Sequence, residues 1–242
     1  MEVSNARVKP GSNDAEKFSM TQDSMPLYDA MSTLRAVRRL KPDPIPDDVL
    51  RRILQAAAWA PSGGNVQPWR IVAVRDPELR IKIGDLYRPQ WATYGAASRR
   101  GLDGLQGEAR AKRERMLAAA DYLGENMGHA PVLLVVCFNP DLMAITDAEL
   151  GRASVVGGGS VYPAVENLML ACVSEGVGCT LTTLLCYEED AMKALLDIPD
   201  DWHTCGVVAI GYPRSKGHGP ISRRPPEKLV FADRFGQRIS FD

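Results

Sequence analysis

Hydrophobic and polar positions along this chain change period several times, and each change marks an element. Residues 26 to 39 carry Leu27, Met31, Leu34 and Arg35 at helical spacing, which predicts a first helix. Pro42-Asp43-Pro44-Ile45-Pro46 interrupts it as an extended connector, because proline fixes φ and pushes its predecessor out of the helical region. Asp47 and Asp48 then stand where N-caps and dipole-complementing acids belong. Val49, Leu50, Ile53, Leu54, Ala57 and Ala58 continue at helical spacing, predicting a helix over 47 to 59. A strand-like run follows at 70 to 75. Asp76-Pro77-Glu78 opens another helix carrying Leu79, Ile81, Ile83 and Leu86.

Residues 87 to 128 break this rhythm. They mix Tyr87, Trp91, Tyr94 and Tyr122 with glycines and a charged stretch. Residues 108 to 123 can form a helix, but 88 to 107 have weak periodicity, so the segment reads as a lid or excursion, or as a solvated surface loop. Pro131 to Phe138 is a continuous apolar run, as expected of a central strand buried on both faces. Val161 to Glu175 is apolar almost all round, which suits the centre of a core or of a subunit contact, and we place it at the subunit contact. Strand-like runs at 179 to 185 and 204 to 213 flank a short helix over 188 to 196. Helices and strands alternate without internal repeats, giving an α/β or α+β class.

Composition narrows the function. The chain has 242 residues and a formal net charge of -1, so nothing draws it generally to nucleic acid or an anionic membrane. No uncharged apolar stretch is long enough to span a bilayer. Residues 1 to 24 are polar and read as a disordered arm, leaving 25 to 242 as one folded domain. The five cysteines, with no C-x-x-C pair, favour reduced thiols in a cytoplasmic protein. The three histidines lie far apart, so no metal site is expected.

Two features carry candidate chemistry. Pro61-Ser62-Gly63-Gly64-Asn65-Val66-Gln67-Pro68-Trp69 follows a helix and precedes a strand. Its bare backbone can lie against a large planar ligand; taken alone, it also reads as a helix C-cap and turn. Arg35-Ala36-Val37-Arg38-Arg39 ends the first predicted helix, where positions 35, 38 and 39 would share one side. Such guanidinium groups can fork onto a phosphate, or form a solvated basic face. Arg223-Arg224-Pro225 is a second basic cluster with the same two readings. The glycines at 157 to 159 do not form a dinucleotide fingerprint, since no strand runs into a G-x-G-x-x-G turn.

In order, R-x-x-R-R, I-P-D-D-V-L-R-R-I-L, A-P-S-G-G-N-V-Q-P-W, A-P-V-L-L-V-V-C, E-N-L-M-L-A-C, G-C-T-L-T-T-L and G-Y-P followed by R-R-P resemble the nitroreductase family of FMN-dependent oxidoreductases. The resemblance runs over about residues 26 to 230. It implies an α+β fold with a mixed sheet flanked by helices, built as an intertwined homodimer with FMN at the subunit interfaces. By position, Arg35 and Ala36 match the segment at the FMN phosphate and ribityl chain, and Arg223 the late phosphate-binding arginine. Arg38 matches the basic residue at the flavin's pyrimidine end. Pro61, Ser62, Gly63 and Asn65 match the loop that meets the flavin from the partner subunit, with Gly64 on the substrate side. Thr182, Thr183 and Leu184 match the segment passing the central ring, where a backbone N–H faces N5.

The resemblance thus implies hydride transfer from NAD(P)H through FMN to a nitroaromatic or quinone-like acceptor in a ping-pong cycle. The cofactor carries the chemistry, so no catalytic side chain or metal is required. A cation at the pyrimidine end favours the reduced, anionic flavin. Trp91 and Tyr94 either stack on a small aromatic acceptor or pack as core under the excursion. Leu34-Arg35-Ala36 stands where many members have Arg-Arg-Ser, so the phosphate leans harder on Arg35 and Arg223. The segment 87 to 128 lacks a match to the substrate clamp of the deiodinase branch, which argues against that branch; the flavin-cleaving branch is also disfavoured. A specialised flavin enone reductase and a non-catalytic FMN-binding or sequestering protein remain the alternatives.

Overall fold

The structure is a computed structural model describing residues 25–241. The arm expected over 1 to 24 lies outside the described residues. Among the described residues, six α-helices and four strands follow one another as α1 (Leu27–Thr33), α2 (Asp47–Ala58), β1 (Trp69–Val74), α3 (Pro77–Arg99), α4 (Gly107–Asn126), β2 (Val132–Phe138), α5 (Tyr162–Ser174), β3 (Gly178–Thr182), α6 (Glu189–Leu196) and β4 (His203–Gly211). The class is α+β, as the sequence implies.

The strands pair in the order β1-β2-β4-β3, and every pair is antiparallel. The resemblance implies a mixed sheet, and the described strands correct that expectation. The reason lies partly in the connection: between β1 and β2 the chain makes two long helices, out and back, and re-enters the sheet reversed. In β2, Val132, Leu134 and Val136 point to one core while Leu133, Val135 and Cys137 point to the other. Alternation of this kind is the two-residue period of a strand whose faces are both covered. On the first face lie Leu50 and Ile53 of α2 with Leu168 and Cys172 of α5. On the second lie Ile83 and Tyr87 of α3, Leu123 of α4 and Met192 of α6.

Asp47 and Asp48 are the first helical residues of α2 rather than its caps, since Pro46 holds the N-cap position without a side-chain bond. Their charges still complement the helix dipole. Asp48 accepts from Arg52 at 2.9 Å, and Arg52 forks onto both oxygens of Glu175, each at 2.8 Å. This ion pair joins α2 to the end of α5, and two parallel charge-assisted bonds fix the relative orientation of the helices.

The excursion 87 to 128 is mostly helical, formed by the second half of α3 and by α4. Asp76 caps α3 by accepting from the Leu79 N–H at 2.9 Å, and the helix runs on through Pro89 to Arg99. Packing carries it past the proline. A Cβ at Gly124 would lie 2.4 Å from Trp91 Cδ1, so the bare backbone of α4 is what admits the indole. Trp91 Nε1 then donates to Asp121 at 3.0 Å. In the apolar helix α5, Leu168 and Cys172 are fully buried in this chain's own core, while Tyr162 stays exposed.

Candidate functional site

The first helix stops at Thr33, six residues before the predicted end at 39, because Leu34 turns extended at φ -62 and ψ 112. The arginines therefore do not share a helix face. The extended strip gains more from the sheet edge than helix would offer it. Val37 N–H donates to the Cys179 carbonyl at 2.8 Å, Lys41 N–H donates to Tyr212 at 2.7 Å, and Val37 and Leu40 enter the core. Arg35, Arg38 and Arg39 leave this strip toward three different surroundings.

Arg35 and Ala36 line a cleft of about 380 Å³, together with Met31, Glu166, Cys179 and Arg223. The Arg35 guanidinium is held by the Gly217 carbonyl, to which Nε donates at 2.9 Å and Nη2 at 2.7 Å. Gly217 has φ +66, and a Cβ there would meet Pro213 at 2.8 Å, so this anchoring turn requires glycine. Arg223 enters from the C-terminal segment, its Nη1 donating to the neighbouring Ser222 carbonyl at 3.1 Å. Two arginines far apart in the sequence thus line one cleft.

Arg38 is half-buried beside Tyr87. Burial pulls its guanidinium below the ordinary arginine value, and the nearby phenol opposes that shift. Burial raises the Tyr87 hydroxyl, against a hydrogen bond with Thr182 and the charge of Arg38. Tyr87 falls at the start of the expected excursion, and its contact with Arg38 is not among the expectations drawn from the sequence. The available signal was the four-residue step from Ile83 through Tyr87 to Trp91, which continues the α3 core stripe. Thr182 ends β3, Thr183 follows it, and the Leu184 N–H reaches back to Thr182 Oγ1 at 3.4 Å.

The Pro61–Asn65 loop is a short turn between α2 and β1, with left-handed backbone at Gly64 (φ 58) and Asn65 (φ 54). Ser62 Oγ accepts from the Gln67 N–H at 3.0 Å, Asn65 Oδ1 accepts from Gln67 Nε2 at 3.1 Å, and Gly63 N–H donates to Ser160 Oγ at 3.1 Å. Pro61, Gly63, Gly64 and Asn65 are exposed, and none lines the Arg35 cleft. Trp91 takes the packing role within the hairpin. Tyr94 stays exposed at 6.0 Å from its ring, and neither lines that cleft.

All five cysteines are free thiols. Cys179 lies buried at the cleft wall, and a hydrogen bond from Cys172 lowers its thiol, with His218 acting in the same sense. Burial raises Cys172. His218 Nε2 donates to the Val177 carbonyl at 2.9 Å. These contacts join residues remote in sequence and carry no local motif. Among the described residues no cluster of His, Cys, Asp and Glu could hold a metal ion, and no helix is long and apolar enough to cross a membrane.

A family model described as the nitroreductase family matches residues 33–212, from the end of α1 to the residue after β4. The chain belongs to the nitroreductase family. As a member it is similar to an NADH dehydrogenase of Thermus thermophilus, at 28% identity over 233 residues, covering 86% of this chain and 97% of that protein. It is also similar to a 5,6-dimethylbenzimidazole synthase of Rhodospirillum rubrum, at 33% identity over 184 residues, covering 75% of this chain and 79% of that one. Among solved structures, a nitroreductase with bound FMN from Desulfitobacterium hafniense shares the fold with a TM-score of 0.62 at 18% identity, covering 86% of this chain and 100% of that chain. The Arg35–Ala36 strip, the Pro61–Asn65 loop and Thr182–Leu184 fall inside the matched residues, and Arg223 lies beyond them.

Proposed function

We propose that this nitroreductase-family protein is an FMN-dependent oxidoreductase that moves hydride from NAD(P)H to planar nitroaromatic or quinone-like acceptors. The observation that supports it best is the convergence of Arg35 and Arg223 on one cleft. Two forked donors suit a phosphate dianion better than a single lysine would. The donor set therefore fits FMN, with Arg35 preset on Gly217 so that little freedom is lost on binding. FMN, when bound, supplies the two-electron hydride chemistry, accepting from NAD(P)H and giving to the acceptor in a ping-pong cycle.

The chain's own part is to bind and to tune. Arg38, partly withdrawn from water beside Tyr87 and Thr182, acts in a setting where its charge is less screened. That charge favours added negative charge at the pyrimidine end of the flavin. The Pro61–Asn65 loop and the Arg35 cleft are separate places on one chain. A homodimer in which one protomer's loop closes the other's cleft reconciles them. Leu27, Tyr28 and Met31 of α1, with Phe235 and Phe241 of the tail, are exposed apolar surface that such a partner would cover. A cytoplasmic location follows the same reading, since five free thiols suit a reducing compartment.

The test is NADPH oxidation with a nitroaromatic or a quinone. Consumption coupled to acceptor reduction supports the reading; FMN binding without turnover would leave a sequestering protein. The similarity to a 5,6-dimethylbenzimidazole synthase supports a second reading, flavin breakdown. Aerobic incubation with reduced FMN separates the two, because only the second consumes the flavin and yields 5,6-dimethylbenzimidazole.

A further inference from the structure

Arg39, the third arginine of the strip, stands in a different place from Arg35 and Arg38. It lines a hollow of about 540 Å³ with Arg115, Tyr122, Arg214 and Ser215. Arg39 and Arg214 both lie over the Tyr122 ring, with Cζ at 5.5 Å and 5.8 Å from its centroid. Arg214 is fixed further by Nε donating to the Leu40 carbonyl at 3.1 Å, and its N–H donates to the Arg39 carbonyl at 2.9 Å. Two cations are thus gathered on one aromatic residue and tied to one backbone ladder. Among the described residues no carboxylate lines the hollow and neither Arg39 nor Arg214 has an ion-pair partner, while Arg115 has Glu108 at 2.6 Å. Like charges held together in this way repel, and the π face offsets only part of that cost. An anion accepting forked N–H bonds from both guanidiniums offsets the rest.

We infer that this hollow is a second anion site that binds the phosphate group of a small molecule. It shares no lining residue with the Arg35 cleft, so one phosphate does not serve both. Phosphate chemistry suits it because guanidinium forks match tetrahedral oxygens, and the Ser215 hydroxyl adds a neutral donor at the rim. The group belongs either to free phosphate or pyrophosphate, or to a nucleotide such as NADPH through its 2′-phosphate.

The test uses the FMN-loaded protein, so that Arg35 and Arg223 are already engaged. Calorimetric titration with inorganic pyrophosphate should show saturable binding, weakened about tenfold or more in R39S and in R214S, as expected for loss of a charge-assisted contact. Both side chains are exposed, so melting temperature and FMN content should hold; R115S provides a further variant at the same hollow. No saturable binding, or undiminished binding in R39S and R214S, overturns the proposal. Steady-state kinetics then distinguish the sources. A KM that rises for NADPH and not for NADH assigns the site to the nucleotide, and unchanged KM values with pyrophosphate binding lost assign it to a free anion. If the purified protein holds no FMN, the same titration on the R35S/R223S protein keeps this inference separate from the flavin reading.

Discussion

At the scale of single residues, Arg35 and Arg223 carry the phosphate end of the account. Replacing either with Ala removes a charge-assisted contact and should weaken FMN by ~2 kcal/mol, read from the fluorescence of released flavin. Unchanged affinity in both variants would contradict the assignment. Arg38 is proposed to tune the flavin rather than anchor it, so R38A should lower the two-electron potential while oxidised FMN binds nearly as before. If binding is lost and the potential stays, Arg38 belongs with the phosphate group instead. Asp147 offers a pH test. Its carboxylate accepts from Ser154 Oγ at 2.6 Å, from the Val155 N–H at 3.0 Å and from Arg152 at 2.8 Å. The Ser154 bond, aided by these others, lowers it from 3.8 to about 2. A depressed carboxylate stabilises the fold above its ordinary pKa, and that contribution disappears as pH falls from near 3.8 toward about 2. Asp147→Asn should flatten this part of the acid-unfolding curve; an unaltered curve would show that the loop does not couple to global stability. The arginines were legible in the sequence as a cluster of charge, but not their separate surroundings, because α1 ends at Thr33. Cys179 and His218 were not, because their contacts join residues apart along the chain, and Tyr87 offered only the four-residue step from Ile83 to Trp91.

At the scale of elements, most spans followed from hydrophobic period, and the misses have identifiable causes. α1 ends early because Val37 and Leu40 find more burial at the sheet edge than on a helix. α3 extends past Pro89, against the local signal, because Trp91 finds its socket at Gly124 on α4. Tertiary packing has overridden propensity in both. The Gly124 socket can be tested directly. Gly124→Ala places a Cβ 2.4 Å from the indole and should cost roughly 1–3 kcal/mol by overpacking, seen as a lower Tm and altered Trp fluorescence. A gain in stability from the added helix propensity would mean that the hairpin shifts freely. Trp91→Ala should relieve the clash and reduce the penalty of the second substitution, as contacting residues do in a double-mutant cycle.

At the scale of the whole molecule, the class and the central position of β2 were legible, because an apolar run between breakers has few other uses. Strand direction was not, since it depends on how the α3–α4 hairpin returns the chain to the sheet. The proposed site is legible only in halves: the Arg35 cleft and the loop over residues 61 to 65 stand apart on one chain. That separation is why the account calls for a second copy, and sedimentation of the flavin-loaded protein should give a dimer. A stable flavin-loaded monomer would require the cleft to work without the loop. The most direct test of the central claim follows the visible flavin absorbance of the purified protein under anaerobic conditions. The account predicts a yellow protein that bleaches on addition of NADPH or NADH and regains its colour when a nitroaromatic or quinone is added. A protein that stays colourless after incubation with FMN, or a bound flavin that neither nicotinamide bleaches, would contradict it.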